Sequence, residues 1–117
     1  MDLGAVEISG VTVRFAVNEK IIWINMADML KIEAGDPEWA VGAADKVAGA
    51  KRMYPKEAEI FLDKFPYVLG SGKISERWNW FYRIDTNLAM LGINQENSQM
   101  LDQKIHVPIR KIVEQGK

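Results

Sequence analysis

Few side chains in this sequence are suited to acid–base or metal chemistry. The chain has no cysteine and a single histidine, His106. Without thiolates, and with one imidazole, neither a cysteine nucleophile nor a tight transition-metal site is expected. His106 stands between the apolar residues Ile105 and Val107, which favours a structural or surface role over a catalytic one. The glycines in 70–73 lack the spacing of a phosphate-binding loop. We therefore predict no metal, no cofactor and no enzymatic activity.

Carboxylates offer the remaining route to catalysis. Glu57, Glu59 and Asp63 lie beside Lys56 and Lys64. Charges of both signs at this spacing are typical of a solvent-exposed helix face. A carboxylate-only enzyme of the glycosidase type is the alternative, but it would need a deep cleft in a chain of only 117 residues. The solvated face is the favoured interpretation.

Aromatic residues are the strongest anomaly of the composition. There are four tryptophans, and Trp78 and Trp80 fall within one aromatic run, 78–82. If this run is helical, the two rings flank opposite sides of the buried stripe, so both cannot be covered. A partly exposed tryptophan near Arg77 and Arg83 is typical of a protein interface or of a surface that stacks on nucleic-acid bases. Bulky filling of the core is the alternative.

A basic cluster precedes a predicted helix start at Pro55. Lys51, Arg52 and Lys56 surround it, and free N–H groups at a helix start already attract phosphates. Lys73, Arg77 and Arg83 extend this predicted contact surface. The overall net charge of -1 and the pI near 5.8 oppose strong nucleic-acid binding, which usually accompanies a basic excess.

Charge is unevenly distributed along the chain. Residues 1–45 carry 3 basic and 8 acidic side chains, whereas residues 46–83 carry 8 basic and 4 acidic ones. If the fold keeps these segments apart, the protein has an acidic and a basic side that could orient a charged partner. Chance clustering in a short chain is the alternative.

The elements that would hold these residues begin with strands. Apolar and polar residues alternate over 11–17, and 20–24 is rich in β-branched and aromatic residues, which together predict a β-hairpin. Residues 5–8 supply a third strand. Helical patterns follow, which favours an α+β fold with an N-terminal β-hairpin or three-stranded antiparallel sheet packed against four to five helices.

The predicted helices are bounded by caps and prolines. The first begins after the cap Asn25 and ends near Gly35, the second runs from Pro37 to Gly49, and the third from Pro55 to Pro66. A fourth is predicted over 75–91, where the apolar residues fit helical spacing for longer than they alternate. A break at Pro108 separates the last short helix.

Length and termini suggest a single cytoplasmic domain, 1–117. The size suits one domain. The acidic start of the chain does not resemble a signal peptide, and no apolar stretch reaches the ~18 residues of a membrane span.

The segment Val11–Leu30 resembles the opening of the BRO-N and KilA-N domains of phage and large-DNA-virus antirepressors. A strand, 11–15, is followed by 22–30, in which a strand with an aromatic residue runs into a short helix. Trp23, Asp28 and Leu30 would be the corresponding positions. The sequence departs from that family in the Gly/Lys-containing stretch that follows the first helix of KilA-N, and in its lower basicity. The resemblance implies a DNA-binding or DNA-associated regulatory module.

Two functions follow as hypotheses. The first is a non-enzymatic regulatory domain of phage or mobile-element type that contacts DNA through the basic residues of 46–83. The second is a small inhibitor or adaptor of a host protein, acting through exposed aromatic surface or through an acidic, DNA-mimicking face. A homodimer would also account for the surplus of aromatic residues.

Overall fold

The computed structural model describes residues 1–38 and 42–116. A five-stranded antiparallel sheet, in the order β1-β2-β3-β5-β4, packs against helices. This is the predicted α+β class, with two more strands than expected. The elements in chain order are β1 (Asp2–Ile8), β2 (Val11–Asn18), β3 (Ile21–Asn25), α1 (Met26–Ala34), α2 (Ala43–Met53), α3 (Pro55–Phe61), β4 (Leu62–Phe65), β5 (Asn79–Arg83), a 3₁₀ turn (Leu88–Leu91), α4 (Gln95–Leu101), a π-helical turn (Asp102–His106) and α5 (Val107–Gln115). None of the helices in these described ranges has the length and apolar character needed to cross a bilayer.

The first three strands form two consecutive hairpins, and the predicted hairpin of 11–17 with 20–24 is the second of them. Each hairpin turns through two residues with positive φ, Ser9-Gly10 and Glu19-Lys20. Such turns match the right-handed twist of the strands that they join. The predicted third strand, 5–8, is the end of a longer one that pairs with β2 along its whole length.

Helix α1 begins and ends where its caps predicted. The Asn25 side chain accepts a hydrogen bond from the Asp28 N–H at 3.1 Å, and Gly35 ends the helix at a φ of 68°. Both contacts satisfy backbone groups that a helix end leaves without partners. The local signals around this helix were therefore sufficient to place it.

The buried carboxylate of Asp28 joins α1 to β2. Strand β3 ends at Asn25, so the next N–H of β2, that of Arg14, has no strand partner; it donates to Asp28 at 3.0 Å instead. The Arg14 guanidinium lies 3.5 Å from the same carboxylate and donates to the Val68 carbonyl. Its planar group also stacks over the Tyr67 ring. One ion pair thus connects strand, helix and the loop before β5.

The helix predicted over 75–91 is wrong, because its centre is strand β5. Tyr82 faces the larger core with the helices, while Phe81 points to the opposite side of the sheet, and both are buried. A strand that is covered on both faces loses the simple alternation and presents an almost continuous apolar run. The sequence beyond it forms the 3₁₀ turn, which Asn87 caps and Gly92 ends.

The third predicted helix is shorter than expected. Helix α3 starts at Pro55, as predicted, but ends at Phe61, and 62–65 forms the edge strand β4. Leu62 pairs with Tyr82 in β5. That partner lies twenty residues further along the chain. The apolar spacing around Leu62 therefore cannot indicate the stabilisation that strand pairing provides.

The second predicted helix is displaced along the chain. The structure starts α2 at Ala43 and continues it through Gly49 to Met53, so the predicted end at Gly49 is wrong. Val47 and Ala50 hold it against the core. Trp39 and Ala40, which the prediction placed in this helix, lie outside the described residues.

Pro108 does not break the C-terminal helix, contrary to the prediction. The π-helical turn precedes it, and the Val107 N–H donates to the Asp102 carbonyl, five residues back. A widened turn of this kind accommodates an irregularity without ending the helix. Ile105 and Ile109 are both fully buried across it.

Replacing Asp28 with alanine tests the junction between β2 and α1. The Arg14 N–H would then be left without its acceptor, so Asp28→Ala should lower the free energy of unfolding by about 1–3 kcal/mol. Urea denaturation measures the change, and Glu76→Ala, which removes an exposed acid, is the control and should change stability by less than about 0.5 kcal/mol. Equal stability of the two variants would contradict this role.

Candidate nucleic-acid interface

Two lysines from different parts of the chain converge on the Trp80 ring. The Lys51 ammonium, near the end of α2, lies 4.2 Å from the ring centroid, and the Lys64 ammonium, in β4, lies 4.9 Å from it. Trp80 is half-buried in β5, directly opposite Lys64 in the strand register. Each contact of this kind is worth roughly 0.5–1 kcal/mol at an exposed site. We call Lys51, Lys64 and Trp80 the basic–aromatic site.

Trp80 forms a shared wall of two open clefts. The first cleft, of about 390 Å³, also contains Lys51 together with the acids Glu59 and Asp63. The second, of about 430 Å³, lies at the N-terminus of α2 and is lined mainly by small residues, among them Ala43 and Ala44. Trp80 therefore borders open space on two sides.

The N-terminus of α2 is suited to an anion. Within the described residues no side chain caps it, and Gly42 and Ala43 at its start carry no bulky side chain. Free N–H groups and the helix dipole both favour a phosphate at such a position. Its neighbour in the same cleft is the Trp80 ring.

The predicted basic residues lie in three parts of the fold. Lys51 reaches Trp80, and Arg52 and Lys56 are exposed at the junction of α2 and α3. Lys73 and Arg77 are exposed in the long loop that joins β4 to β5.

Arg83 lies at the far end of β5 from Trp80 and forms an ion pair of 2.9 Å with Asp85. The structure therefore separates Arg83 from the predicted surface and adds Lys64 to it. Only the cross-strand register between β4 and β5 could have revealed Lys64, and β4 itself was not predicted.

Trp78 lies in the β4–β5 loop with 59% of its surface exposed. Ile74, at 54%, and Leu69 are exposed in the same loop. Trp78 is exposed and Trp80 is half-buried, but the prediction that both could not be covered assumed a helix, and the described run 78–82 contains no helix. Exposed apolar side chains in one loop form a second candidate contact surface.

A chain of hydrogen bonds runs from the core to the surface through His106. The Tyr82 hydroxyl lies 2.7 Å from Nε2 of His106, and Nδ1 lies 3.2 Å from the Asp102 carboxylate. Because a carboxylate only accepts, Nδ1 carries the proton and Nε2 accepts from the tyrosine. Asp102 and His106 line an open cleft of about 440 Å³.

The arrangement leaves His106 no free nitrogen for chemistry in this cleft. Both ring nitrogens are engaged, and the Tyr82 hydroxyl is fully buried. Burial lowers the pKa of His106 below its ordinary 6.5, although its hydrogen bond to Asp102 opposes the shift. Burial also raises the pKa of Tyr82 well above 10. A neutral imidazole therefore fastens the π-helical turn to β5, in line with the structural role that the sequence favoured.

Metal-binding geometry is not found among the described residues. Within 1–38 and 42–116, no three side chains of the ligand types lie close enough to hold an ion.

The positions that carry the family resemblance are buried. Trp23, Asp28 and Leu30 each have less than a tenth of their surface exposed. They hold the sheet and α1 together and are not available for contact with a ligand.

Comparison with known proteins shows limited similarity. No family model matches the chain, and no solved structure matches it. A shikimate dehydrogenase (NADP(+)) of Methanococcus maripaludis is 28% identical over 95 residues. The match includes 81% of this chain but 33% of the methanogen protein, so the chain spans about a third of the length of that relative.

The buried histidine makes stability depend on pH. Since the folded pKa of His106 lies below the unfolded value of about 6.5, the unfolded chain takes up a proton first as pH falls, and stability is lost below that value. Urea denaturation near pH 8 and near pH 5.5 should show the wild type losing more stability than His106→Gln. Other titrating groups, including Asp28, are common to both proteins. If the wild type loses no more stability than His106→Gln between these two pH values, the pKa of His106 is not lowered in the folded protein.

Proposed function

We propose that this protein is a non-enzymatic regulatory domain, of phage or mobile-element type, that contacts DNA through the basic–aromatic site in the cytoplasm. The observation that carries the proposal is the convergence of Lys51 and Lys64 on the half-exposed ring of Trp80. A base can stack on the ring once an ammonium group moves off it, and the released cations can contact neighbouring phosphates.

The two lysines are available for an external anion. Within residues 1–38 and 42–116 neither ammonium group forms an ion pair. Arg52 and Lys56 add exposed positive charge at the adjacent helix junction. Electrostatic contact with phosphates supplies most of the sequence-independent affinity of proteins for DNA.

Nearby acids limit the strength of this contact. Glu59 and Asp63 line the same cleft as Lys51 and Trp80, and the protein as a whole has a net charge of -1. Binding through a few phosphates, with a modest dependence on salt, fits this charge balance better than a broad electrostatic contact.

The fold gives the site a suitable frame. Helix α2 and strands β4 and β5 meet at Trp80, and an α-helix fits the major groove of DNA. The hairpin-and-helix order over Val11–Leu30 agrees with the resemblance to the antirepressor domains, which would make such a contact regulatory.

The name of the methanogen relative suggests a different chemistry. This chain has no glycine-rich dinucleotide motif, and it spans about a third of that enzyme. We therefore do not propose oxidoreductase activity for it.

Removing the two lysines tests the DNA contact. Fluorescence anisotropy of a labelled duplex, measured over a range of salt, should show weaker binding by Lys51→Ala/Lys64→Ala. The slope of log affinity against log salt should fall by about 0.9 for each phosphate that the variant no longer neutralises. The control, Lys104→Ala/Lys111→Ala, removes two exposed lysines of the C-terminal helical region and should keep the wild-type slope. Failure of the wild type to bind any duplex at low salt would overturn the proposal.

The exposed β4–β5 loop favours a second candidate, a small inhibitor or adaptor that binds a host protein. Trp78 and Ile74 are more than half exposed, beside the positive charge of Arg77. Tryptophan and arginine dominate the energetic centres of protein interfaces.

Trp78→Ala separates this candidate from the DNA contact. The exposed side chain contributes little packing, so the variant should keep its stability to within about 0.5 kcal/mol. If the loop binds a protein, capture of that partner is lost in Trp78→Ala and kept in Ile60→Ala, which truncates an exposed apolar residue on α3. Equal capture by both variants would exclude the loop, and unchanged duplex binding by Trp78→Ala is expected if the two surfaces are separate.

A further inference from the structure

The two edges of the sheet are protected very differently. Edge strand β4 has four residues, exposes Asp63 and Lys64, and is followed at once by Pro66. Edge strand β1 has seven residues, exposes the acids Asp2 and Glu7, contains neither proline nor a basic residue, and pairs with β2 in one unbroken register. Short length, charge, proline and bulges are the means by which proteins prevent edge-to-edge pairing. Both edges carry two charged residues, but by length and by the adjacent proline β4 is protected and β1 is open.

The structure identifies which backbone groups of β1 face outward. The Arg14 N–H points away from β1, because it donates to Asp28 on the opposite side of β2. Its partner in β1, Ala5, therefore directs its own N–H and C=O to the free edge. The Ser9-Gly10 turn leads to the same assignment, because a two-residue turn requires Ile8 and Val11 to be a hydrogen-bonded pair, and the N–H and C=O of Ile8 then face β2. By alternation, Leu3, Ala5 and Glu7 are the outward-facing residues.

We propose that β1 is a homodimer interface, at which two copies of this chain pair their β1 strands antiparallel about a two-fold axis at Ala5. Ala5 is the midpoint of the strand, so this register pairs all seven residues. Leu3 of each copy then lies opposite Glu7 of the other. Alternating hydrogen-bonded pairs give about six backbone hydrogen bonds across the axis. The two sheets join into one continuous sheet.

A second copy fits this edge because the strand is self-complementary. In the proposed register, Asp2 lies opposite Ile8 and Gly4 opposite Val6, so no like charges face each other. The small side chain at Ala5 permits close approach at the axis. Half-buried Val6, on the helix side of the sheet, lies diagonal to Val6 of the other copy across the axis. Like charges directly opposite would have opposed pairing.

Hydrogen exchange tests the register directly. At low protein concentration the amides of Gly4, Val6 and Ile8 should be protected by β2, while those of Leu3, Ala5 and Glu7 exchange rapidly. Raising the concentration should protect the second set alone. Outward amides that exchange at the same rapid rate at all concentrations would overturn the proposal.

Sedimentation of edge variants tests the dimer. Ala5→Pro removes an N–H that β2 does not use, a position at which an edge strand tolerates proline, and should weaken dimerisation about tenfold or more. Ala5→Lys places two ammonium groups opposite each other in the dimer and should also weaken dimerisation, while it leaves the backbone N–H in place. Ala34→Lys, at an exposed alanine near the end of α1, should dimerise as the wild type does. A wild type that stays monomeric near ~1 mM, where even a weak dimer would form, or a dimer that survives both Ala5 variants, would overturn the assignment.

Discussion

The buried carboxylate of Asp28 is the interaction on which the arrangement of sheet, helix and loop depends. It replaces β3 as the partner of the Arg14 N–H at the point where the chain turns from strand into helix. The Arg14 guanidinium that contacts this carboxylate also donates to the Val68 carbonyl and lies over the Tyr67 ring. Burial raises the pKa of Asp28 above its ordinary 3.8, while the hydrogen bond and the charge of Arg14 oppose that shift. Removing Arg14 would be costly, because the Asp28 carboxylate would be left buried without its cation, whereas Arg14 without Asp28 would keep its contacts with Val68 and Tyr67.

The first thirty-five residues could be predicted closely because their signals are local. Alternating apolar and polar residues indicate strand β2, and the capping residues Asn25 and Gly35 lie directly at the two ends of α1. The strands β4 and β5 could not be found in this way, since Leu62 is stable as a strand only because it pairs with Tyr82. Tertiary pairing overrides local helical spacing in such segments. The same reason explains the misplaced limits of α2 and α3.

The candidate site could be predicted in part. Lys51 and Trp80 were singled out for separate reasons, and the sequence held no indication that they touch. Lys64 was missed because its partner is set by strand register, and Arg83 was included because proximity along the chain suggested proximity in space. The apolar neighbours of His106 in the sequence indicated a structural or surface role. Its hydrogen bond to Tyr82 could not be predicted, because it depends on the position of β5 in the sheet.

The π-helical turn gives the chain between α4 and α5 a spare residue. It holds one more residue than an α-helical turn would, and the buried residues Leu101, Ile105 and Ile109 recur at every fourth position across it. Deleting one residue within the turn would let it close as an α-helical turn, and the rotation of α5 would stay nearly unchanged because the wider turn already absorbs that residue. Ile109 would stay in the core, whereas a deletion within an ordinary α-helical turn would rotate everything beyond it by about 100°. In this stretch the winding of the helix can therefore change by one residue without moving its buried face.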